Sequence, residues 1–490
     1  MNRRRFLRSS FAGAITLAHL DRRLHAAADP IAEIEAMTGN GMKTVLDKSS
    51  LQNLKSSLRG ALLLPGEAGY DEARRVIDRS IDKRPALIVQ PTGAADVRTA
   101  TDFARAHSLL VAVKCGGHSG FRSTCDGGLQ MDLSRLRGVR VDPAARIAHV
   151  SGGCLLGDVD HESMSFGLAT ATGAVSHTGV GGLTLGAGFG RLARRLGLTI
   201  DNVRAVDIVT ADGQLRHASA EENPDLYWAV RGGGGNFGVV TAFEFRLHPR
   251  QKQVVGGRLV FPMSRAREVF DAYLAFSLRA PEDLYADFIL GQRCAIDICW
   301  SGDASAVRKI LAPLGSLGTP LEDSIKAIDY LAIQHERDRS DPLNRNEERR
   351  GVQFRTAFIH GFDARLAHAL VAGDEEHPQR RTSIYIQHAG GAIARVAPDA
   401  TAFPHRSATH VLNVTVSWPL PGDDAVHARY LENYWTAFKP LTDGYYANLV
   451  DEDPPVVEGN YRGNLARLQR AKNKYDPTNL FRLNANIRPA

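Results

Sequence analysis

The chain has 490 residues, 43% of them hydrophobic, and a formal net charge of +6. That length suits two large domains or about three ordinary ones, and the composition is that of a soluble globular protein rather than a disordered or fibrous one. Residues 1–28 hold six arginines and one aspartate, +5 of the +6. The remainder is therefore near neutral, which gives no electrostatic case for a nucleic-acid partner.

The leader itself carries Arg3-Arg4-Arg5-Phe6-Leu7, a modest apolar run from Phe11 to Leu20, and Ala26-Ala27-Ala28 before Asp29. It resembles a twin-arginine export signal, a route that carries proteins already folded, so a periplasmic or secreted location is expected. Asp21-Arg22-Arg23, between the apolar run and the alanines, leaves the cleavage position open. No stretch is long enough to span a bilayer. The five cysteines, Cys115, Cys125, Cys154, Cys294 and Cys299, have no zinc-ligand spacing, and their odd number leaves at least one unpaired. Cys115 and Cys125 are close enough in sequence to bridge if the segment between them loops back. With no H-E-x-x-H among the seventeen histidines, no metal site is indicated.

In chain order, Ala86 to Gln90 reads as a short strand ending at Pro91. Thr92 then caps a helix from Ala94 to His107 with Val97, Ala100, Phe103 and Ala104 on its buried side. An apolar run from Leu109 to Val113 breaks into Lys114-Cys115-Gly116-Gly117-His118-Ser119-Gly120. The paired glycines let successive amides curl inward as an anion cradle with His118 at its lip. Further strands are expected at Gly128 to Leu133, Val139 to Val141 and Ile147 to Val150, and a helix at Leu156 to Phe166, so this half reads as mixed α/β.

Thr178 to Gly190 reads T-G-V-G-G-L-T-L-G-A-G-F-G. Its glycines are too regular for a linker, and they would let the backbone press against a flat or charged group. Asn223 is an N-cap with Pro224 at the first helical position. The segment Gly233 to Gly238 formally matches G-x-G-x-x-G, but a helix precedes it and a strand-like alternation from Val240 follows. That inverts the dinucleotide order, and the Rossmann reading is rejected. P-loop and G-x-S-x-G motifs are absent.

From about Gly256 glycine thins out. Strand-like runs (Gly257 to Phe261, Ala295 to Trp300, Thr382 to Gln387, His410 to Trp418) alternate with amphipathic helices such as Ala266 to Leu278, an antiparallel sheet with helices on one face. Residues Gln334 to Gly351 are dense in charge and read as a surface loop. Tyr446-Ala447-Asn448 reads as β-like, with Tyr446 and Asn448 on one face. A helix from Tyr461 stops at Asp476-Pro477, after which Asn484 and Asn486 share a face if the chain is extended.

Five segments in this order resemble the berberine-bridge-enzyme-like family of flavoproteins within the vanillyl-alcohol-oxidase superfamily. They are P-A-L-I-V-Q-P-T-G-A-A-D-V from Pro85, G-G-H-S from Gly116, the run from Thr178, W-A-V-R-G-G-G-G-N-F-G-V-V from Trp228, and Y-D-P-T-N-L-F-R-L-N-A-N-I from Tyr475. The resemblance runs from about Gly69 to Pro489. It implies an α+β fold: a bipartite FAD-binding domain of the p-cresol-methylhydroxylase (PCMH) type, with an inserted α/β substrate domain built on an antiparallel sheet. The parts fall at 1–28 (signal), 29–255 (FAD-binding), 256–440 (substrate) and 441–490 (return to the FAD domain).

The resemblance further implies an oxidoreductase acting on an alcohol or hemiacetal carbon of a sugar, oligosaccharide or secondary metabolite, with hydride passing to flavin N5. FAD would be bonded covalently to His118 and contacted by Lys114, Cys115, Gly116, Gly117, Ser119, Thr178, Gly179, Gly182, Leu183, Gly188, Val240, Asn448, Asn484 and Asn486. Val175 stands where some members carry a second, cysteinyl link, so a single bond is expected; Cys154 reads as a buried small residue. Lys114-Cys115 stands where Arg-Gly is common, and Ala187 where glycine is frequent. Tyr446 matches the family base, Tyr385 is its candidate partner, facing the flavin beside Gln387, and His405-Arg406 reads as structural. The small Thr178 leaves room beside the flavin for dioxygen as acceptor. A dehydrogenase with a quinone or other acceptor, and a flavin-binding protein without activity, are the competing readings. The oligomeric state is not legible.

Overall fold

The computed structural model describes residues 32–338, 350–372, 377–449 and 454–490. The leader, and residues 339–349 of the expected charged loop, lie outside the described residues. Three main sheets organise the rest.

The first has four strands in the order Ala61–Leu63, Leu87–Gln90, Leu129–Asp132, Val111–Lys114, with the last three parallel. The helix Ala94–Ala106 makes the crossover between two of the parallel strands. Leu87, Ile88 and Val89 are fully buried, as a parallel sheet covered on both faces requires. Gly93, not Thr92, is the N-cap of this helix. No side chain caps it; Asp96 in its first turn instead ties down the preceding chain, its carboxylate accepting the backbone N–H groups of Thr92 (2.8 Å), Arg59 (2.9 Å) and Gly60 (3.0 Å) and the Thr92 hydroxyl (3.1 Å).

The second sheet is antiparallel, in the order Leu215–Ser219, Val203–Val209, Val239–Arg246, Ile147–Ser151, Val139–Asp142. Helix Leu465–Tyr475 packs on the same core as this sheet through Leu468, Ala471 and Tyr475. Inside that helix Lys472 is fully buried. Its ammonium bonds the Asp476 carboxylate (2.6 Å) and the backbone carbonyls of Asn236 (2.7 Å) and Phe481 (3.0 Å). Asp476 in turn accepts the N–H groups of Leu480 and Phe481. This clip fixes the C-terminal residues against the Gly234–Phe237 turn.

The third sheet is eight-stranded and antiparallel. Its path is Glu322–Asp323, Gln253–Phe261, Cys294–Trp300, Leu284–Leu290, Arg381–His388, His410–Pro419, Arg350–Ile359, with Lys326–Asp329 also paired to Gln253–Phe261. The alternation of strand side chains divides its two faces. One face presents Phe288, Ile296, Ile384, Leu412 and Val414 to the helices Ala266–Ser277, Ala364–Ala372 and Asp424–Thr436. The other presents Tyr285, Asp287, Asp297, Tyr385, Gln387 and Asn413, together with Phe358 and Val411, toward the glycine-rich half. Phe358 and Val411 share a core with Ala187, Phe189, Ile200 and Tyr446. Arg194 crosses the same joint, donating to the carbonyls of Leu284 (2.7 Å) and Ala280 (2.9 Å). Gln334, expected on a surface loop, is instead buried in the helix Tyr330–His335. There it bonds Asp160, Gly173 and Arg191.

Candidate active site

Where strand Val111–Lys114 ends, the chain turns at Gly116 and Gly117. Gly117 has φ +73°, a left-handed conformation that favours glycine. Gly116 meets Gly179 backbone to backbone: a β-carbon on Gly116 would lie 2.4 Å from the Gly179 nitrogen, and one on Gly179 equally close to the Gly116 nitrogen. Only glycine at both positions lets the histidine loop and the Thr178 run touch. Cys115 seals this contact from below, its thiol directed at the carbonyls of Gly152 (3.3 Å) and Cys154 (3.4 Å). All five cysteines are free and Cys154 is fully buried, so Cys115 and Cys125 are not bridged.

The two loops form one wall of a cavity that is open at its mouth. Cys115, Gly116, Gly117, His118 and Ser119 line it on one side, and Thr178, Gly179, Gly182 and Leu183 on the next. Val240, Asn448 and Asn484 come from three further segments. His118 Nε2 is 2.8 Å from His177 Nδ1, with the two rings stacked at 4.7 Å, and the Thr178 hydroxyl is 3.4 Å from the same nitrogen. Burial, reinforced by the neighbouring His177, pulls the His118 imidazole down to about 4, so it is neutral at pH 7.

Beside this cavity, Asn448 Nδ2 donates to the Tyr446 hydroxyl (3.0 Å) and to the Leu183 carbonyl (3.0 Å). The Gly188 N–H donates to the same hydroxyl at 3.3 Å. The phenol ring stands edge-on to Phe189 and packs against Phe358 of the large sheet, so the side chain is held between the two halves of the molecule. Burial pushes its pKa up to about 12 even though both donors favour the phenolate. The pair is built on a 3₁₀ turn, Ala447–Leu449, and not on the expected strand; the turn brings side chains two apart to one point.

The family model for FAD binding domains matches residues 85–219, and the one for berberine and berberine-like proteins matches residues 445–488. An FAD-linked oxidoreductase of Dictyostelium discoideum is 32% identical over 440 residues, 88% of this chain and 95% of the relative. The chain belongs to the berberine-bridge-enzyme-like family of FAD-linked oxidoreductases. Among solved structures, the 6-hydroxy-D-nicotine oxidase of Arthrobacter nicotinovorans superposes with a TM-score of 0.80 at 27% identity, over 89% of this chain and 99% of that one. The glucooligosaccharide oxidase of Acremonium strictum, described as carrying a 6-S-cysteinyl, 8α-N1-histidyl FAD, superposes at 0.82 with 23% identity, over 90% and 99%, a likeness of fold. The fold is the PCMH-type α+β architecture shared by these oxidases.

Several residues expected at the flavin of a berberine-bridge-like protein are placed elsewhere. Lys114 does not line the cavity. Its ammonium turns away and donates to the carbonyls of Ala73 (2.5 Å) and Arg75 (3.2 Å), with Asp132 at 3.5 Å, anchoring the end of its strand. Gly188 is also off the cavity and acts through its bond to Tyr446. Asn484 lines the cavity but Asn486 does not, because the tail bends there rather than running as a strand. Tyr385 lies outside the cavity lining too. Its hydroxyl donates to the Asp287 carboxylate (2.5 Å) and accepts from the Arg337 guanidinium, partners supplied by other elements of the substrate half. Burial raises its pKa to about 12, Arg337 opposing and Asp287 adding to the rise. His405 and Arg406 are structural: Arg406 is buried in a bidentate pair with Asp201 (2.8 Å each), and His405 bonds the Asn460 carbonyl.

Other residues at the cavity were not read from the sequence. Gly234, Gly235 and Gly238 line it, although they precede a strand and not a helix, so what was rejected as a Rossmann fingerprint still supplies backbone to the site. Arg122, whose guanidinium donates to the Ala447 carbonyl (2.8 Å), and Tyr461 line it as well, each brought in by a long-range contact that no local motif announces. The dinucleotide fits this lining. A β-carbon added at Gly182 would meet only the Ser119 hydroxyl, at 3.9 Å, so the glycine backbone faces open room in the cavity.

Proposed function

We propose that this berberine-bridge-like protein oxidises the hydroxyl-bearing carbon of a small alcohol or carbohydrate, with FAD joined covalently to His118 and dioxygen as acceptor. FAD would lie in the cavity, its diphosphate against the amides of Gly116, Gly117 and the Gly234–Gly235 turn; when bound it supplies a hydride acceptor at N5.

The observation that carries the reading is the Tyr446 hydroxyl, which accepts two N–H donors beside the cavity. Two donors converging on one phenol oxygen stabilise negative charge there, so Tyr446 takes the substrate hydroxyl proton as general base. The polar sheet face that carries Tyr285, Asp287, Tyr385, Gln387 and Asn413 supports a substrate rich in hydroxyl groups. Tyr385 acts there as a positioning group whose orientation is set by Asp287 and Arg337. Thr178, small and adjacent to His118, supports access of dioxygen, and the absence of a cysteine at Val175 supports a single covalent bond. The resemblance of the leader to a twin-arginine export signal supports work in the periplasm or outside the cell.

The reading is tested by screening aldoses, oligosaccharides and polyphenolic alcohols for anaerobic bleaching of the flavin. Wild-type protein is expected to keep its yellow colour after acid denaturation and His118→Ala to release it. Reoxidation in air over many minutes would replace the oxidase by a dehydrogenase with another acceptor. Failure of every donor to bleach the flavin would leave a flavin-binding protein.

A further inference from the structure

The imidazole contact between the two glycine loops lies at a boundary between two cavities. His118 lines the one just described. His177 lines a second, on the other side of the loop, together with Ser176, His161, Glu162 and His335. Both side-chain contacts of His118, to His177 Nδ1 and to the Thr178 hydroxyl, are made through Nε2. The His177 backbone carbonyl also bonds the imidazole, and Nδ1, which neither side-chain contact engages, is the nitrogen assigned to bond formation.

We propose that His177 is the positioning residue and proton acceptor for flavin attachment, holding His118 in its Nε2–H tautomer and taking that proton as Nδ1 bonds to the flavin. The inference rests on the covalent link proposed above and adds a residue and a proton path to it.

The chemistry follows from the ring. A neutral imidazole has one protonated and one nucleophilic nitrogen, and the hydrogen bond on the first decides which is which. With Nε2–H donating to His177 Nδ1, the His118 lone pair sits on Nδ1. The His177 backbone carbonyl also favours a proton on His118, and burial keeps the ring uncharged at neutral pH, the form that attacks. Bond formation joins Nδ1 to the flavin 8α carbon. One C–H bond at that carbon and the Nε2–H bond of His118 break, releasing two protons. The two electrons go to the ring and on to dioxygen, which with two protons becomes hydrogen peroxide. His177 Nδ1, 2.8 Å away, receives the Nε2 proton, and the residue stands at the wall of the second cavity. Asp338, bonded to the Ser176 N–H (3.1 Å) and to His335 (2.8 Å), sets a carboxylate where its charge attracts a protonated His177.

The test uses the full chain made in a riboflavin-starved host and then given FAD. Attachment is followed by the flavin retained after acid precipitation and by the mass of the tryptic peptide that contains His118. His177→Ala is expected to bind FAD within a few-fold of wild type and to link it about 10²-fold more slowly, the lower end of what a positioned base contributes. Free imidazole is expected to restore much of the rate. Linkage at the wild-type rate, or a slow rate that imidazole leaves unchanged, overturns the proposal. His177→Asn, whose Oδ1 stands near the place of Nδ1 and accepts the hydrogen bond without carrying the proton, covers the case in which the alanine chain does not fold. It is expected to bind FAD and link it more slowly than wild type, and wild-type speed again overturns the proposal. If the wild-type peptide itself has its bare mass after incubation, the covalent link falls and the role of His177 with it. If wild type links and both variants link as fast, only His177 is wrong.

Discussion

Asn448 reaches back over two residues to donate its side-chain amide to the Tyr446 hydroxyl at 3.0 Å, and its second N–H ties the same amide to the Leu183 carbonyl. The tyrosine's acidity thus depends on a residue that is itself anchored to the cavity wall. Replacing Asn448 by leucine removes one of two donors to a developing phenolate. A hydrogen bond to a charged group contributes about 1.5–3 kcal/mol, so kcat/KM should fall by about 10- to 150-fold in flavin-loaded enzyme. The sign on pH is fixed as well. Loss of the donor raises the tyrosine further from its value of about 12, so the rate of the variant should lag wild type at every pH below that and approach it only in strong alkali. A variant whose kcat/KM equals that of wild type across the pH range would remove Tyr446 as the base.

Two glycines separate folding from cofactor binding. Gly179→Ala drives a methyl group to 2.4 Å from the Gly116 nitrogen, backbone against backbone, and should yield protein with a disrupted histidine loop and a lowered Tm. Gly182→Ala meets nothing nearer than the Ser119 hydroxyl at 3.9 Å and should fold with the Tm of the wild-type apoprotein, yet lose FAD affinity because the methyl group intrudes on the cavity. Thermal melts of apoprotein alongside FAD titration check both. A fully yellow Gly182→Ala would place the flavin elsewhere.

Ala187 has φ +136°, a conformation that side chains rarely adopt, and it is fully buried. Such strain costs of order 1–3 kcal/mol. Glycine relieves it, against about 0.4–1 kcal/mol of added unfolded-state entropy and about 0.8 kcal/mol for the lost methyl burial. Ala187→Gly should therefore be neutral or slightly stabilising. Ala193→Gly, equally buried but helical, should lose about 1 kcal/mol or more. Urea titration of the pair distinguishes them.

Buried histidines set the response to acid. Burial, with the nearby Arg194 adding, holds His410 down to about 3, and burial with Arg462 does the same for His405. His118, at about 4, behaves likewise. In the unfolded chain these rings take up protons near pH 6.5. The folded state therefore binds fewer protons between pH 6.5 and about 3, and stability should fall as pH drops through that window. His410 keeps its ring neutral between the Ser277 hydroxyl (2.9 Å) and the Thr409 hydroxyl (3.1 Å). His410→Gln should reduce the slope of stability against pH by up to one proton. An unchanged slope would show that His410 does not titrate in that interval.

The parts of this architecture readable beforehand were those written in local pattern. The Leu87–Gln90 and Val111–Lys114 strands, the helix Ala94–Ala106 and four strands of the large sheet (in Gln253–Phe261, Cys294–Trp300, Arg381–His388 and His410–Pro419) follow from apolar periodicity, whereas its strands Leu284–Leu290 and Arg350–Ile359 were not read. The glycine loops around His118 and Thr178 follow from residues with no other reason to recur. What escaped depends on distance along the chain. His177 was in view as part of a motif, but its contact with His118 spans 59 positions. Arg122 meets Ala447 across 325. Asn486 failed because period-two reasoning presumes an extended chain, and the tail bends. Tyr385 was placed on the correct sheet face by alternation. No local rule could show that Asp287 and Arg337 would claim its hydroxyl.

The Lys472–Asp476 clip has a consequence for how the molecule is made. It fastens Phe481, a cavity-lining residue, next to turns that were synthesised some two hundred and fifty residues before it, as the span from Asn236 to Ile487 illustrates. Without those final helical turns the enclosure has a missing side, although the glycine loops of its other walls are already present. A chain shortened before Lys472 should therefore retain less flavin than the full-length chain, however well its earlier sheets have formed.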